Sequence, residues 1–296
     1  MSEKKCLFRG AATALITPFD EKGQVDADAF RRLVSLQYQS GISALVVAGT
    51  TGEASTLSLA EKELLLQIAK DEVKGNIPII MGAGANDTKN ALFLSQNAEK
   101  NGADALLLVT PYYNKGTKEG IRRHYEEIAA RVHIPILLYN VPSRTGVSLS
   151  LADYARLFKQ ENIIGVKEAE DNMEKEAWLS YSFGKSASLY TGNDTHLLPF
   201  LSLGGDGIIS VISNLYPKQI EDICRLFSSG KAERAREIFF ALLPLMKLLF
   251  EETNPSPVKY AMSLLGFGAP YLRLPLFLPE EPLQKKIKAA LSCISF

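Results

Sequence analysis

Short apolar segments recur along the chain at intervals of roughly 20 to 35 residues, a spacing typical of repeated β/α units. Most are continuously apolar, as expected for parallel strands that are buried on both faces. The predicted strands are Ala11–Ile16, Ile42–Ala48, Ile77–Gly82, Ala105–Val109, Ile134–Tyr139, Ile163–Lys167, Ser188–Thr191 and Gly207–Val211. Eight such units fit an α/β fold of the closed (β/α)8 TIM-barrel type, and a doubly wound open sheet is the alternative.

Amphipathic segments between these strands predict helices. Ser58 and Glu61 form a capping-box pattern, and Leu64, Leu65 and Ile68 then form an apolar stripe. Glycine, which suits the left-handed position after a helix, stands before three predicted strands, at Gly41, Gly102 and Gly204.

No strand pattern returns after Val211. Four helical segments are predicted instead: Pro217–Ser228, Lys231–Phe250, Pro255–Leu265 and Pro279–Ser292. We therefore expect a catalytic barrel over residues 1–225 and a helical C-terminal region over residues 226–296, joined in one compact unit.

Charge and composition exclude several classes of protein. The 33 basic and 33 acidic residues cancel, whereas an extended nucleic-acid surface needs a clustered basic excess. The N-terminus lacks a signal-peptide pattern, and no apolar run reaches the roughly 18 residues of a membrane span. Three cysteines without a CxxC pair indicate free thiols. We expect a soluble, cytoplasmic protein that binds neither nucleic acid nor membrane.

Cofactor motifs are also missing. The three histidines share no metal-ligand spacing, and no Walker loop occurs. Gly82 and Gly84 begin a possible dinucleotide motif, but Asp87 stands where its third glycine belongs. We expect neither a catalytic metal nor an organic cofactor.

In a barrel, catalytic side chains follow the carboxyl ends of the strands, and Lys167 ends the sixth predicted strand. Burial would lower its pKa and favour a neutral amine that attacks a ketone. A solvated surface lysine is the alternative. Tyr139 ends the fifth strand and could transfer protons, although a packed core tyrosine has the same pattern. Arg144 follows in a tight loop, either as a carboxylate ligand or as a surface arginine.

Two further loops follow strands, and a third segment surrounds the eighth strand. Gly49–Glu53 contains two hydroxyls and two glycines, and it could form an anion-binding nest or a plain loop. Thr110–Asn114 contains adjacent tyrosines, which are common in packing and in interfaces. Gly204–Ser210 could present backbone groups to a ligand or form a simple turn.

Taken together, four segments resemble the dihydrodipicolinate synthase family: Gly49–Glu53, Pro111–Asn114, Tyr139–Gly146 and Gly165–Ala169. The similarity extends over essentially the whole chain, including Asn254–Lys259. Each segment alone is shared with related pyruvate aldolases, whereas the ordered set with Arg144 is specific.

The resemblance implies substrates and residue roles. Lys167 would form a Schiff base with pyruvate, which then condenses with L-aspartate 4-semialdehyde in a lyase reaction of diaminopimelate and lysine biosynthesis. The other implied roles are a proton relay through Tyr139, Thr50 and Tyr113, pyruvate contacts from Thr51 and Ile209, and binding of the semialdehyde carboxylate by Arg144. Tyr113 would reach into a neighbouring subunit of a homotetramer built from two dimers.

Lysine is a feedback inhibitor of many family members. Asn86 and Tyr112 match that site, but Leu59, Lys62 and Asn90 stand where lysine-sensitive members carry two histidines and a glutamate. We expect weak or absent lysine inhibition.

Two alternative functions remain open at this point. One is another pyruvate-dependent aldolase, such as an N-acetylneuraminate or 2-keto-3-deoxy sugar acid lyase; these generally lack the arginine at the position of Arg144. The other is a non-catalytic barrel that binds a keto acid.

Overall fold

The computed structural model describes residues 4–294. Its strands follow one another in chain order in a closed barrel, which confirms the predicted fold and excludes the open sheet. The strands are β1 (Gly10–Ala14), β2 (Ala44–Val47), β3 (Ile79–Gly82), β4 (Ala105–Val109), β5 (Ile136–Asn140), β6 (Ile163–Glu168), β7 (Ser188–Thr191) and β8 (Gly207–Ser210).

The helices occupy the segments that the amphipathic patterns predict. They are α1 (Ala27–Gln39), α2 (Leu59–Val73), α3 (Thr88–Lys100), α4 (Lys118–Ala129), α5 (Pro142–Thr145), α6 (Leu151–Leu157), α7 (Met173–Phe183), α8 (Leu197–Ser202), α9 (Pro217–Ser228), α10 (Ala232–Leu248), α11 (Ser256–Leu264) and α12 (Glu281–Cys293). Within residues 4–294, no helix combines the length and the apolar character needed to cross a membrane.

The described chain consists of two compact units that interleave in the sequence. One unit contains Pro78–Ile209 together with the described residues before Gly10, and so carries β3 to β7 and most of β8. The other contains Gly10–Ile77 and residues 210–294, and so carries β1, β2 and the C-terminal helices α9 to α12.

The local signals in the sequence are mostly confirmed. Ser58 and Glu61 form a complete capping box at the start of α2. Gly41, Gly102 and Gly204 all have left-handed backbone angles, with φ between 78° and 90°. The predicted stripe on α2 is wrong at Leu64, which is 43% exposed. The buried face of this helix keeps Leu65 and Ile68 and adds Leu66, which lies three residues before the buried Ala69.

Gly165 is the point of closest approach between β6 and β7. The residue is paired with Ser188 in the parallel ladder. A Cβ atom at this position would overlap the Ser188 carbonyl oxygen and would lie 2.8 Å from the Ser188 Cβ. Both neighbours belong to a paired strand, so neither can move away without loss of ladder hydrogen bonds.

Gly165→Ala should therefore lower the free energy of unfolding by about 2 kcal/mol or more, the cost of overpacking a closed core. Urea titration of wild type and variant, followed by circular dichroism, measures the change. Gly116→Ala is the matched control, because its added methyl would lie 3.5 Å from the Ile121 Cγ1, an ordinary contact. Equal stability of the two variants would contradict the steric argument.

Candidate active site

Lys167 is a buried lysine at the end of β6, with only 5% of its surface exposed. The β5–β6 register places it beside Tyr139, and its Nζ lies 4.4 Å from the centre of the Tyr139 ring. No carboxylate among residues 4–294 lies within ion-pairing distance of this amine. The amine is therefore held at the carboxyl end of the barrel against an aromatic ring rather than in an ion pair.

Gly192 leaves the space that the Lys167 side chain occupies. A Cβ atom on this glycine would lie 2.7 Å from the Lys167 Cε and 2.7 Å from the Ala169 Cβ. The loop after β7 therefore approaches the aliphatic arm of Lys167 more closely than any other residue type would allow.

Glu168, the next residue on β6, points to the opposite face of the strand and is 1% exposed. Its carboxylate accepts hydrogen bonds from Asn140 Nδ2 (2.6 Å) and Tyr154 Oη (2.9 Å), and it pairs with Lys175 Nζ at 3.2 Å. Burial raises the pKa of Glu168, and the Lys175 charge opposes that rise. This network joins the ends of β5 and β6, directly beside Tyr139 and Lys167.

Arg144 and Tyr113 lie on the loops that follow β5 and β4. Arg144 is an exposed residue on the one-turn helix α5, which begins with Pro142 and ends at Gly146 with φ of 67°. Tyr113 is 89% exposed and has a φ of 69°, a left-handed conformation that is uncommon for a tyrosine. Ile209 in β8 is fully buried.

The two threonines of the loop after β2 lie in the other unit. Thr51 is 2% exposed, while Thr50 is half-buried. The loop is a tight turn, in which the Glu53 amide donates to the Thr50 carbonyl at 3.1 Å. Ala48 and Glu53 both have left-handed backbone angles, with φ of 51° and 55°. Side chains other than glycine hold such angles only where the surroundings stabilise them.

Those surroundings come from the C-terminal part of the chain. Lys259 Nζ pairs with Glu53 Oε1 at 2.6 Å, and both side chains are at most 1% exposed. The Arg273 amide donates to the other carboxylate oxygen at 3.0 Å, and Asn254 Nδ2 donates to Thr51 Oγ1 at 3.0 Å. Burial lowers the pKa of Lys259 to about 8, although the Glu53 charge opposes this shift.

Arg273 extends the same set of contacts to the start of α2. Its guanidinium pairs with Glu61, the acidic member of the capping box, and donates to the Thr56 carbonyl at 2.7 Å. The Arg273 hydrogen bond is the main reason why the pKa of Glu61 is lowered to about 2.

The structure thus brings Tyr139 and Lys167 together, as predicted, and places Arg144 and Tyr113 on adjoining loops of the same unit. The partners Glu168, Lys259 and Arg273 were not predicted, because their charges carry no spacing signal. For Lys259 and Arg273 the available signal was that they are the two charged residues of the segment 253–279. Among residues 4–294, no group of three or more histidine, cysteine or acidic side chains could hold a metal ion.

A closed parallel barrel with a buried lysine at a strand end belongs to the class of (β/α)8 proteins that act through the carboxyl ends of their strands. The chain is a member of the Dihydrodipicolinate synthetase family, whose model matches residues 7–294.

Individual relatives agree with this membership. The chain is 46% identical over 289 residues to a 4-hydroxy-tetrahydrodipicolinate synthase of Thermotoga neapolitana, covering 96% of this chain and 98% of that protein. It is similar to the crystal structure of dihydrodipicolinate synthase from Thermotoga maritima, with a TM-score of 0.93, 42% identity and coverage of 97% and 98% of the two chains. It is also similar to the chloride-inhibited Acinetobacter baumannii enzyme complexed with pyruvate, with a TM-score of 0.94, 38% identity and coverage of 96% and 98%.

The low pKa of Glu61 makes part of the stability depend on pH. Its carboxylate has a pKa of about 2 in the folded protein against 4.5 ordinarily, so the stabilisation is present above pH 4.5 and is lost as the pH falls towards 2. Glu61→Gln should therefore be less stable than wild type at pH 7, and this difference should shrink between pH 5 and pH 3. Urea midpoints measured at several pH values test this; a difference that is independent of pH would contradict it.

Proposed function

We propose that the chain condenses pyruvate with L-aspartate 4-semialdehyde to give 4-hydroxy-tetrahydrodipicolinate, through a Schiff base on Lys167. The observation that carries the proposal is the buried amine of Lys167, without a carboxylate partner and beside the Tyr139 ring, in a chain of this family. The complex of the Acinetobacter baumannii relative with pyruvate supports the first substrate.

The chemistry follows from the amine. Neutral Lys167 attacks the pyruvate ketone, water leaves, and a protonated imine forms. The imine draws electrons from the methyl group, which loses a proton and becomes an enamine carbon. That carbon bonds to the aldehyde carbon of the semialdehyde, whose oxygen takes a proton. The semialdehyde amine then displaces the lysine and closes the six-membered ring. The imine is the electron sink, so the reaction as proposed needs no organic cofactor.

Proton transfer is assigned to Tyr139, Thr50 and Tyr113. The Lys167 amine lies against the Tyr139 ring. This contact supports a part for the Tyr139 phenol in the relay. The exposure and strained backbone of Tyr113 support a role outside its own subunit, since an 89% exposed tyrosine in a left-handed conformation serves no packing purpose in its own chain.

Substrate binding is assigned to Thr51, Ile209 and Arg144. Thr51 would hold the pyruvate carboxylate, and the Ile209 backbone would contact the same substrate. Arg144 would bind the carboxylate of the semialdehyde, because a guanidinium forms two parallel hydrogen bonds to such a group. Its place on the rigid helix α5, between Pro142 and Gly146, supports this role. We assign catalysis to the barrel, residues 1–225, and a supporting role to the helical region, residues 226–296.

The assembly that we propose is a homotetramer of two dimers. Besides Tyr113, the aromatic side chains of Trp178 (50% exposed) and Tyr181 (84% exposed) on α7 support a further contact between copies. Such large apolar groups side by side are typical of interfaces. We also propose a cytoplasmic location, which the free thiols Cys6, Cys224 and Cys293 support.

The proposal includes weak feedback by lysine. Burial lowers the pKa of Lys62, which shows that this cation is partly desolvated on α2. A partly desolvated cation repels a second ammonium group more strongly than a solvated one does.

Borohydride reduction in the presence of pyruvate should attach pyruvate covalently to Lys167, because hydride converts the imine into a stable secondary amine. Mass spectrometry of peptides locates the adduct. Lys167→Ala should give no adduct, whereas the exposed Lys159→Ala should label as wild type does. An adduct spread over several lysines, or none in the wild type, would refute the Schiff-base mechanism.

Arg144→Ala should raise the KM for aspartate semialdehyde by roughly tenfold or more, because the variant loses a charge-assisted bidentate contact. Pyruvate trapping on Lys167 should remain unchanged, because this step precedes the second substrate. Coupled assays with aspartate semialdehyde and with neutral sugar aldehydes measure the selectivity. If the sugar aldehydes are the better substrates of the wild type, the chain is instead a sugar-acid aldolase.

A further inference from the structure

Asn254 lies in the C-terminal region, 203 residues from Thr51 in the sequence, and its side chain is 4% exposed. Its Nδ2 donates a hydrogen bond to Thr51 Oγ1 at 3.0 Å. This contact determines which of the two side chains donates the hydrogen bond. A threonine hydroxyl has one proton to donate and two lone pairs to accept with.

Because Asn254 supplies the donor, the Thr51 oxygen is the acceptor in this bond, and its own proton is not used there. Among residues 4–294, Asn254 is the hydrogen-bond partner of the Thr51 hydroxyl. The Thr51 proton is thus left for an anion in the site.

The surrounding ion pair holds Asn254 in place relative to Thr51. Two residues after Thr51, Glu53 receives the Lys259 ammonium at 2.6 Å, and Lys259 follows Asn254 by five residues on the same segment. The loop that carries Thr51 and the segment that carries Asn254 are therefore joined by a second contact, an ion pair that is fully buried. The backbone of the loop cannot move away from this segment without breaking the pair.

We infer that Asn254 is a positioning residue that makes Thr51 a hydrogen-bond donor and thereby selects a carboxylate on the first substrate. The inference rests on the proposed function, in which Thr51 holds the pyruvate carboxylate. An amide at position 254 keeps the hydroxyl proton directed to the substrate. A carboxylate there would accept that proton and would also place a negative charge near the substrate anion.

Asn254→Asp is the decisive variant, because it changes the amide to a carboxylate of nearly the same shape. It should raise the pyruvate concentration that gives half-maximal borohydride trapping on Lys167 by roughly tenfold or more. The reason is that the substrate carboxylate loses a hydrogen bond from Thr51. The kcat at saturating pyruvate should stay within about threefold of wild type, since uniform binding is lost rather than transition-state binding.

Asn254→Ala should give a smaller rise, because the hydroxyl can then rotate but no charge is added. It also keeps the test informative if Asn254→Asp does not fold, which thermal unfolding reveals. In a Thr51→Val background, Asn254→Ala should leave the half-maximal concentration unchanged, because it acts only through the hydroxyl. Asn76→Asp is the matched control: Asn76 Nδ2 donates only to the Val73 carbonyl after α2, at 2.9 Å, and its loss should not alter pyruvate trapping.

The outcomes separate the two claims. Trapping curves of Asn254→Asp and wild type that coincide overturn the inference alone, and so does a rise for Asn254→Ala that persists in the Thr51→Val background. Absence of any Lys167 adduct in the wild type overturns the proposed function, and the inference with it.

Discussion

A lysine amine that is removed from water needs another group to replace its hydration, and the two units supply different ones. Lys259 is buried against the Glu53 carboxylate, and this pair holds a strained loop in place. Lys167 is buried against the Tyr139 ring, and among residues 4–294 its amine has no carboxylate partner. The same side chain thus makes a structural ion pair in one unit and is the nucleophile that we propose in the other, and the two environments differ by a single neighbouring carboxylate.

The strand geometry explains how a buried acid and a nucleophile occur side by side on β6. Successive residues of a strand point to opposite faces, so Lys167 and Glu168 do not meet although they are adjacent in sequence. The Glu168 carboxylate is used on the outer face by Asn140, Tyr154 and Lys175. That network joins the ends of β5 and β6, and the Glu168 carboxylate does not pair with the Lys167 amine on the other face.

Much of the fold could be predicted because its signals are local. Continuous apolar segments gave strands whose ends mostly differ from the structure by one or two residues, and the Ser58 capping box and the helix-ending glycines follow from neighbouring residues. Tyr139 and Lys167 could be placed together because parallel strands in a barrel end at the same rim.

The contacts that support the site could not be predicted in this way. Glu53 and Lys259 are 206 residues apart, and no periodicity connects them. The burial of His124 also depends on packing: one ring nitrogen hydrogen-bonds with Thr88 Oγ1 at 2.9 Å, and burial lowers the pKa of this histidine to about 4. Contacts of this kind depend on the tertiary arrangement, which the patterns of a single sequence do not reveal.

Gly192 has a consequence for how the Lys167 side chain moves. In the reaction that we propose, the amine changes between a free base, an imine and an enamine, so its carbon chain needs room to change rotamer. The missing side chain at Gly192 is that room, since any Cβ there would press on the Lys167 Cε. A substitution at this glycine would therefore act on the pace of the catalytic cycle through the freedom of the lysine arm, even though residue 192 contributes no reactive group of its own.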